Sequence, residues 1–416
     1  MSTNSAFRRI DYLKITVFGF ALAALWSSLH TIIMPVRLLD FVAEPEKNTY
    51  LGLLTFTGLI LGMIVQPIAG AISDRSGFGW GRRRPYILLG TILAMIFLPG
   101  IGAAGSYLAI FIFYCLLQIS ANAAQGPYQA FIPDLVPQKK RGLASGVKSL
   151  LEILGGVALL YPIALLMDNY AAGKGGLWLW LALAAPAFIL LVFMITTVLT
   201  VKEQPGRSPQ FPLPSALSKS FRIDVRANRD FIWFLLSRLL IFVAFTAVQT
   251  FALYFLRDVV GVASPAAATA KFSLVAVAGM LAAVYPAGRM SDRVGRRPII
   301  VGAGLIGALA IALIFFFQHR YPVVMLGGGL LGISFGAFLS TSWALAVDLV
   351  AKGEEARYLG LTNLATAGGS ALARLIGPLI DYFNGYSPGM GYSAMFIICF
   401  ICFVAGSLLL MKIKGR

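Results

Sequence analysis

Glu152 and His30 are the side chains in this 416-residue chain best suited to carry a proton through apolar surroundings. Glu152 stands in the apolar run 143–167, roughly nine residues or about 13 Å along a helix from its start, where lost hydration raises a carboxyl toward neutrality. Lys148 sits one turn away on the same face, so a plain ion pair is the competing reading. His30 titrates near neutral pH without help; set among Ser27, Ser28 and Thr31, it equally fits a hydrogen-bonded cavity residue. A second chemistry lies in GAISDRSGFGWGRRRP, Gly70 to Pro85, and in its shorter echo GRMSDRVGRRP, Gly288 to Pro298. Each sets one carboxylate, Asp74 or Asp292, beside clustered guanidinium groups: Arg75, Arg82, Arg83 and Arg84 in the first, Arg293, Arg296 and Arg297 in the second. The glycines permit tight turns, Pro85 suits the first turn of a helix, and a carboxylate there can accept hydrogen bonds from a neighbouring helix start.

Positioning these groups falls to a tandem of two halves. Asp134-Leu135-Val136 ahead of Arg141 is answered by Asp348-Leu349-Val350 ahead of Arg357, in the same order and orientation as the two loops. With 58% hydrophobic residues, 12% charged and a mean hydropathy of +0.82, the composition is that of a multi-spanning membrane protein with almost no room for a soluble domain. Runs long enough to span a bilayer fall near 13–39, 48–73, 85–106, 108–132, 143–167, 177–201, 230–257, 266–290, 298–318, 322–349, 359–381 and 391–412. The segment 202–229, with Pro205, Pro209, Pro212 and Pro214, reads as a strap between bundles at 1–201 and 230–416.

The net charge of +17 is spread over short loops instead of one basic face, which argues against nucleic acid as a partner. Most of the 34 Lys and Arg fall on one side, with Lys47, Lys174, Lys271 and Arg320 opposite. The positive-inside rule then places both termini and the strap in the cytoplasm of a multi-pass inner (plasma) membrane protein. Cys115, Cys399 and Cys402 all lie in apolar runs and read as packing residues. No nucleophile with an adjacent base, metal cluster or nucleotide loop is present, so neither an enzyme, a cofactor nor direct ATP drive is expected.

With its two G-x-x-S-D-R…G-R-R loops after the second and eighth runs, the chain resembles the major facilitator superfamily over essentially its whole length. Asn122-Ala123-Ala124-Gln125-Gly126-Pro127-Tyr128-Gln129-Ala130, then Pro133-Asp134-Leu135, is similar to the N-x-x-Q-G-P-x-R-A…A-D-L signature of the proton-coupled sucrose carriers. Gln66-Pro67-Ile68-Ala69-Gly70 resembles the D-P-x-x-G segment of the bacterial glycoside, pentoside and hexuronide symporters. Gln118, Gln129 and Gln66 stand where those families carry Asp, Arg and Asp.

The resemblance implies an all-α membrane protein of twelve transmembrane helices in two pseudo-symmetric six-helix bundles, working as a monomer by alternating access. It implies that the two loops latch the cytoplasmic ends, Asp74 against the start of helix 11 and Asp292 against the start of helix 5; topology alone is the competing role. It also implies a central cavity to which Trp26, His30, Asn122, Gln125, Gln129, Gln249, Tyr254 and Trp343 contribute, with Arg374 and Asp381 deeper in helix 11. Arg238 falls near the inner end of helix 7, where it snorkels to headgroups or pairs with a carboxylate. Proton-linked uptake of a sugar or glycoside is the leading expectation, with Glu152 and His30 as the proton groups and lipid as surroundings. A proton-driven exporter of an amphipathic or anionic metabolite is the alternative.

Overall fold

The computed structural model describes residues 8–203, 229–349 and 355–413; most of the strap, with Lys352, Lys414 and Arg416, lies outside the described residues. Those residues are helical with no strand among them. In chain order the helices are α1 (Arg9–Leu38), α2 (Lys47–Asp74), α3 (Arg84–Ala103), α4 (Tyr107–Gln129), α5 (Arg141–Ala158, resuming at Leu160–Ala171) and α6 (Leu177–Thr200). They continue as α7 (Arg229–Phe255), α8 (Pro265–Val294), α9 (Arg296–Phe316), α10 (Tyr321–Asp348), α11 (Glu355–Arg374, resuming at Gly377–Asn384) and α12 (Met390–Met411). Among the described residues, eleven helices are long and apolar enough to cross a membrane. The exception is α11, whose hydroxyls, glycines, Arg374 and Asp381 dilute its hydropathy although it is helical where the sequence predicts.

The chain folds as two compact units, Met1–Val42 with Thr57–Gln210 and Ala43–Phe56 with Phe211–Arg416. The first part of α2 therefore packs within the second unit. Exposed apolar stripes recur at helical spacing: Leu89, Ile92 and Ile96 on α3; Phe188, Val192, Ile195 and Leu199 on α6; Leu305, Leu309 and Phe316 on α9; Ile397, Ile401 and Leu408 on α12. Surfaces of this kind belong against hydrocarbon, not water.

Proline sets the breaks in α5 and α11. A proline lacks the amide donor and crowds the carbonyl four residues back. Pro162 falls four residues after Ala158, where α5 stops, and Pro378 four residues after Arg374, where α11 stops. In α1, Pro35 is accommodated instead by a π-helical turn over Leu29–Ile33, a local widening that frees the clashing carbonyl. The C-terminal carbonyls of α3 are closed by Arg37, which is buried. Its guanidinium donates to the carbonyls of Ile101 (3.3 Å), Gly102 (3.0 Å) and Ala104 (2.8 Å) and to Asp40 (2.6 Å) and the Tyr170 hydroxyl (2.8 Å). Carbonyls left unpaired at a helix end are satisfied in this way.

Several glycines draw the helices of each unit tight, Gly155 and Gly369 among them. A Cβ on Gly155 of α5 would run into the Phe20 carbonyl of α1, and one on Gly369 of α11 into the Leu239 carbonyl of α7. The neighbouring glycines are roomier: a Cβ on Gly156 or Gly368 finds nothing nearer than 4.0 or 3.9 Å. Gly155→Ala and Gly369→Ala are therefore expected to cost about 1–3 kcal/mol each by overpacking. Gly156→Ala and Gly368→Ala should be neutral or gain up to about 1 kcal/mol in helix propensity. Thermal unfolding of the four purified variants checks this; equal effects within each glycine pair would refute it.

Candidate functional site

A chain of hydrogen bonds runs through the first unit between α1, α4 and α2. It begins where the π turn of α1 presents His30, whose ring stacks on Trp26 at 5.3 Å between centroids. The His30 Nε2 lies 2.9 Å from the Tyr114 hydroxyl, which also accepts from Gln118 Nε2 at 2.7 Å. Which of the two donates in the His30–Tyr114 contact follows the imidazole tautomer. Asn122 Nδ2 donates to Gln118 Oε1 (2.9 Å), Gln66 Nε2 to Asn122 Oδ1 (2.6 Å), and Gln129 Nε2 to Gln66 Oε1 (3.3 Å). Tyr114, Gln118 and Asn122 are buried, while His30 is half-buried and Gln129 exposed.

The periodicity of α4 explains the ladder, since residues 114, 118, 122 and 129 fall along one side of a helix. Gly126 lets α2 approach: a Cβ there would strike the Gln66 carbonyl. Gln118, Gln66 and Gln129, the three positions where the sequence departs from charged patterns, thus meet in one formally neutral network. Gln125 is half-buried on the same helix, outside the chain of bonds. Sequence reasoning overlooked Tyr114, although its spacing four residues before Gln118 was a usable signal.

Glu152 forms the ion pair with Lys148, Oε1 to Nζ at 3.5 Å, and keeps 38% of its side chain exposed. The full desolvation expected from its depth in the sequence is not met. It packs over Gly19 of α1 and beside Tyr128 of α4, whose hydroxyl donates to the Thr16 carbonyl at 2.8 Å.

Both repeated loops fold into the same clamp. In the first unit, buried Arg83 donates to Ser73 Oγ (2.6 Å), the Gly70 carbonyl (3.1 Å) and Asp134 (2.9 and 3.1 Å), and pairs with Asp74. Arg82 joins Asp134 at 2.7 Å, and Glu203 accepts from the Arg83 amide at 2.8 Å. Burial pushes the Glu203 carboxyl above its ordinary range, opposed by the Arg83 and Arg82 amides. In the second unit, Arg296 donates to Ser291 Oγ (2.8 Å) and Asp348 (3.4 Å) and pairs with Asp292. The two sequence repeats, loop and Asp134 or Asp348, are therefore partners in space. Each latch carboxylate meets an arginine of its own loop. Arg84 donates to the Trp80 carbonyl (2.8 Å), Arg297 to the Met411 carbonyl, and Arg75 and Arg293 are exposed.

The other expected residues of the second unit scatter. Gln249 is exposed, and Trp343 is 41% exposed. Tyr254 is fully buried beneath Lys47, whose Nζ sits 5.4 Å from its ring and 2.7 Å from Asp258, so it lines no open cavity here. Arg374 donates to the Ser370 carbonyl at 2.7 Å. Asp381 caps α2, accepting from the amides of Asn48 (3.3 Å) and Thr49 (2.6 Å) and from Asn48 Nδ2 (2.8 Å). Arg238 is neither snorkelling nor paired with a carboxylate among the described residues. It is 3% exposed, donates from Nε to Thr366 Oγ1 and from Nη1 to Ser342 Oγ, both at 2.8 Å, and faces the rings of Phe242, Phe338 and Trp343.

Apolar helices in a tandem repeat, crossed by a polar ladder and closed by paired loop clamps, make up a multi-pass membrane protein. The chain belongs to the MFS/sugar transport protein family, whose model matches residues 19–413; family and fold are those of transporters, not enzymes. It is 34% identical over 131 residues to mouse solute carrier family 45 member 4, and 38% identical over 112 residues to the sucrose transport protein SUT1 of Oryza sativa subsp. japonica. Those matches take in 28% and 22% of this chain but only 16% and 21% of the relatives' own lengths. The crystal structure of a bacterial homolog of the human lysosomal transporter Spinster, inward-facing and unoccupied, superposes with a TM-score of 0.74 at 18% identity. The superposition covers 99% of both chains.

The clamps differ in depth, the Arg83 side chain being 4% exposed and that of Arg296 28%. Arg83→Gln is expected to destabilise by about 3 kcal/mol, as for a broken buried pair. Arg296→Gln should cost about 1 kcal/mol or less, as for a pair open to water. Unfolding midpoints of the two variants in detergent decide it, and an equal loss would show that burial does not separate the clamps.

Proposed function

We propose that this transporter takes up a sugar or glycoside together with protons, by alternating access. The observation that carries the reading is the neutral ladder from His30 to Gln129. Amide and hydroxyl groups in series supply both donors and acceptors for sugar hydroxyls, and Trp26 supplies an aromatic face for a sugar CH face. A matched relative being named a sucrose transport protein points the same way. His30, at the Tyr114 end of the ladder, and Glu152, poised against Lys148, are the proton carriers. The Asp74 and Asp292 clamps act as conformational latches at the cytoplasmic ends. The protein works as a monomer in lipid of the inner (plasma) membrane with both termini cytoplasmic. Proton-driven export of an amphipathic or anionic metabolite is the second reading, favoured by the deeply buried charge of Arg238.

Purified protein in liposomes under an imposed pH gradient, offered labelled mono- and disaccharides, tests the proposal. Gradient-driven accumulation is expected, falling to passive exchange in Glu152→Gln or His30→Gln, whichever residue carries the coupling proton. Gln129→Ala, at the exposed end of the ladder, should weaken sugar affinity about tenfold while leaving the unfolding midpoint nearly unchanged. If no sugar enters at any gradient, uptake is refuted and counterflow export is the activity to assay.

A further inference from the structure

Three arginines are buried among the described residues, Arg37, Arg83 and Arg238. Two of them are fully accounted for by the protein. Arg37 has Asp40 and three helix-end carbonyls; Arg83 has Asp74, Asp134, a hydroxyl and a carbonyl. Arg238, the most buried at 3% exposed, has only neutral partners. An arginine buried without an anion is among the costlier arrangements in an apolar protein, and a neutral side chain of similar length would avoid that cost.

The surroundings of Arg238 hold the group in place without neutralising it. Thr366 Oγ1 on α11 takes Nε and Ser342 Oγ on α10 takes one Nη1 proton, each at 2.8 Å. The second Nη1 proton and the whole Nη2 group have no protein acceptor among the described residues, and together they form the end-on fork that matches a carboxylate. Three rings surround the charge, with Phe242 at 5.1 Å, Trp343 at 5.8 Å and Phe338 at 5.9 Å from the guanidinium carbon. They offset part of the desolvation cost and leave an apolar surround for the rest of a ligand. Of the three, Trp343 is 41% exposed while Phe242 and Phe338 are buried, so the cage opens on the Trp343 side.

We propose that Arg238, oriented by Ser342 and Thr366 and caged by Phe242, Phe338 and Trp343, binds the carboxylate of the transported substrate. The substrate class is then a sugar acid or acidic glycoside. One guanidinium with no lysine or second arginine among its contacts balances one negative charge, which fits a carboxylate and leaves the second charge of a phosphate unmatched. The inference rests on the transport reading for its sugar, and on the geometry of α7, α10 and α11 alone for its charge.

The test compares matched acid and neutral pairs, glucuronate with glucose and 4-nitrophenyl glucuronide with 4-nitrophenyl glucoside. Binding is read as the concentration-dependent rise in unfolding midpoint of the purified full chain. In wild type each acid is expected to bind about tenfold or more tighter than its neutral partner, the discrimination a charged hydrogen bond supplies. Arg238→Gln should erase the difference and Arg238→Lys keep part of it. Equal binding of acid and neutral sugar by wild type overturns the inference, as does a preference that survives in Arg238→Gln. If Arg238→Gln fails to fold, Ser342→Ala and Thr366→Val take its place; an unchanged preference in both overturns the inference. Carboxylate-selective binding without gradient-driven transport would sink the uptake reading and leave this site standing. Gradient-driven uptake of neutral sugars with no advantage for the acids would do the reverse.

Discussion

A guanidinium inside an apolar helical protein must find an anion, a carbonyl or a ligand, because no water is at hand to solvate it. Arg83 meets that constraint by gathering four elements at one point: the end of α2 through Ser73, Gly70 and Asp74, the connecting loop, the residues just after α4 through Asp134, and the start of the strap through Glu203. Fixing these ends of α2 and α4 against one another sets their relative register. Register in turn decides whether Gln66 reaches Asn122 and Gln129. The ladder that could hold a sugar is therefore downstream of a charge cluster at the loop.

The loops, the helices and the tandem repeat were legible in the sequence because each is written in local signals: apolar length, basic flanks and a motif that occurs twice. The clamp was half legible. Asp134 and Asp348 marked the repeat, yet nothing in spacing says that a residue after α4 meets an arginine before α3. The ladder was less so. Gln118, Asn122 and Gln129 share a helix side, which periodicity shows, but Gln66 joins them from another helix, and no rule of sequence pairs α2 with α4. Asp381 was hidden for a different reason, because two of its three donors are the main-chain amides of Asn48 and Thr49. Backbone donors carry no residue identity, so a capping role far along the chain leaves no trace in composition.

Tyr254 and Glu152 show what position along a helix leaves open. Both were placed by depth along a helix, and depth gives no orientation. Tyr254 turns into the packing under Lys47, and Glu152 meets Lys148 one turn earlier on its own helix. The proline breaks repeat this lesson constructively. Pro162 and Pro378 interrupt α5 and α11 at corresponding places, and close contact is restored through Gly155 and Gly369 one turn or more before each break. The same pair of devices in each half follows from the repeat itself.

The two units treat charge differently, and the difference bears on mechanism. In the first, Gln66, Gln118 and Gln129 stand at the three positions on α2 and α4 where the resembled carriers bear a charge, and with Asn122 these amides satisfy each other. Such a network offers hydrogen bonds in both directions without discriminating against a neutral ligand, and it removes the carboxylate that would otherwise take the proton. The proposed coupling therefore rests on titratable groups at its margin, the imidazole of His30 and the Glu152–Lys148 pair. In the second unit the reverse holds: Arg238 carries a full charge and its protein partners carry none. A hydroxyl or an aromatic ring can orient a guanidinium but cannot neutralise it, and the proposed substrate carboxylate would complete the electrostatic balance of that pocket. A transporter is the kind of protein in which that condition is met once per cycle.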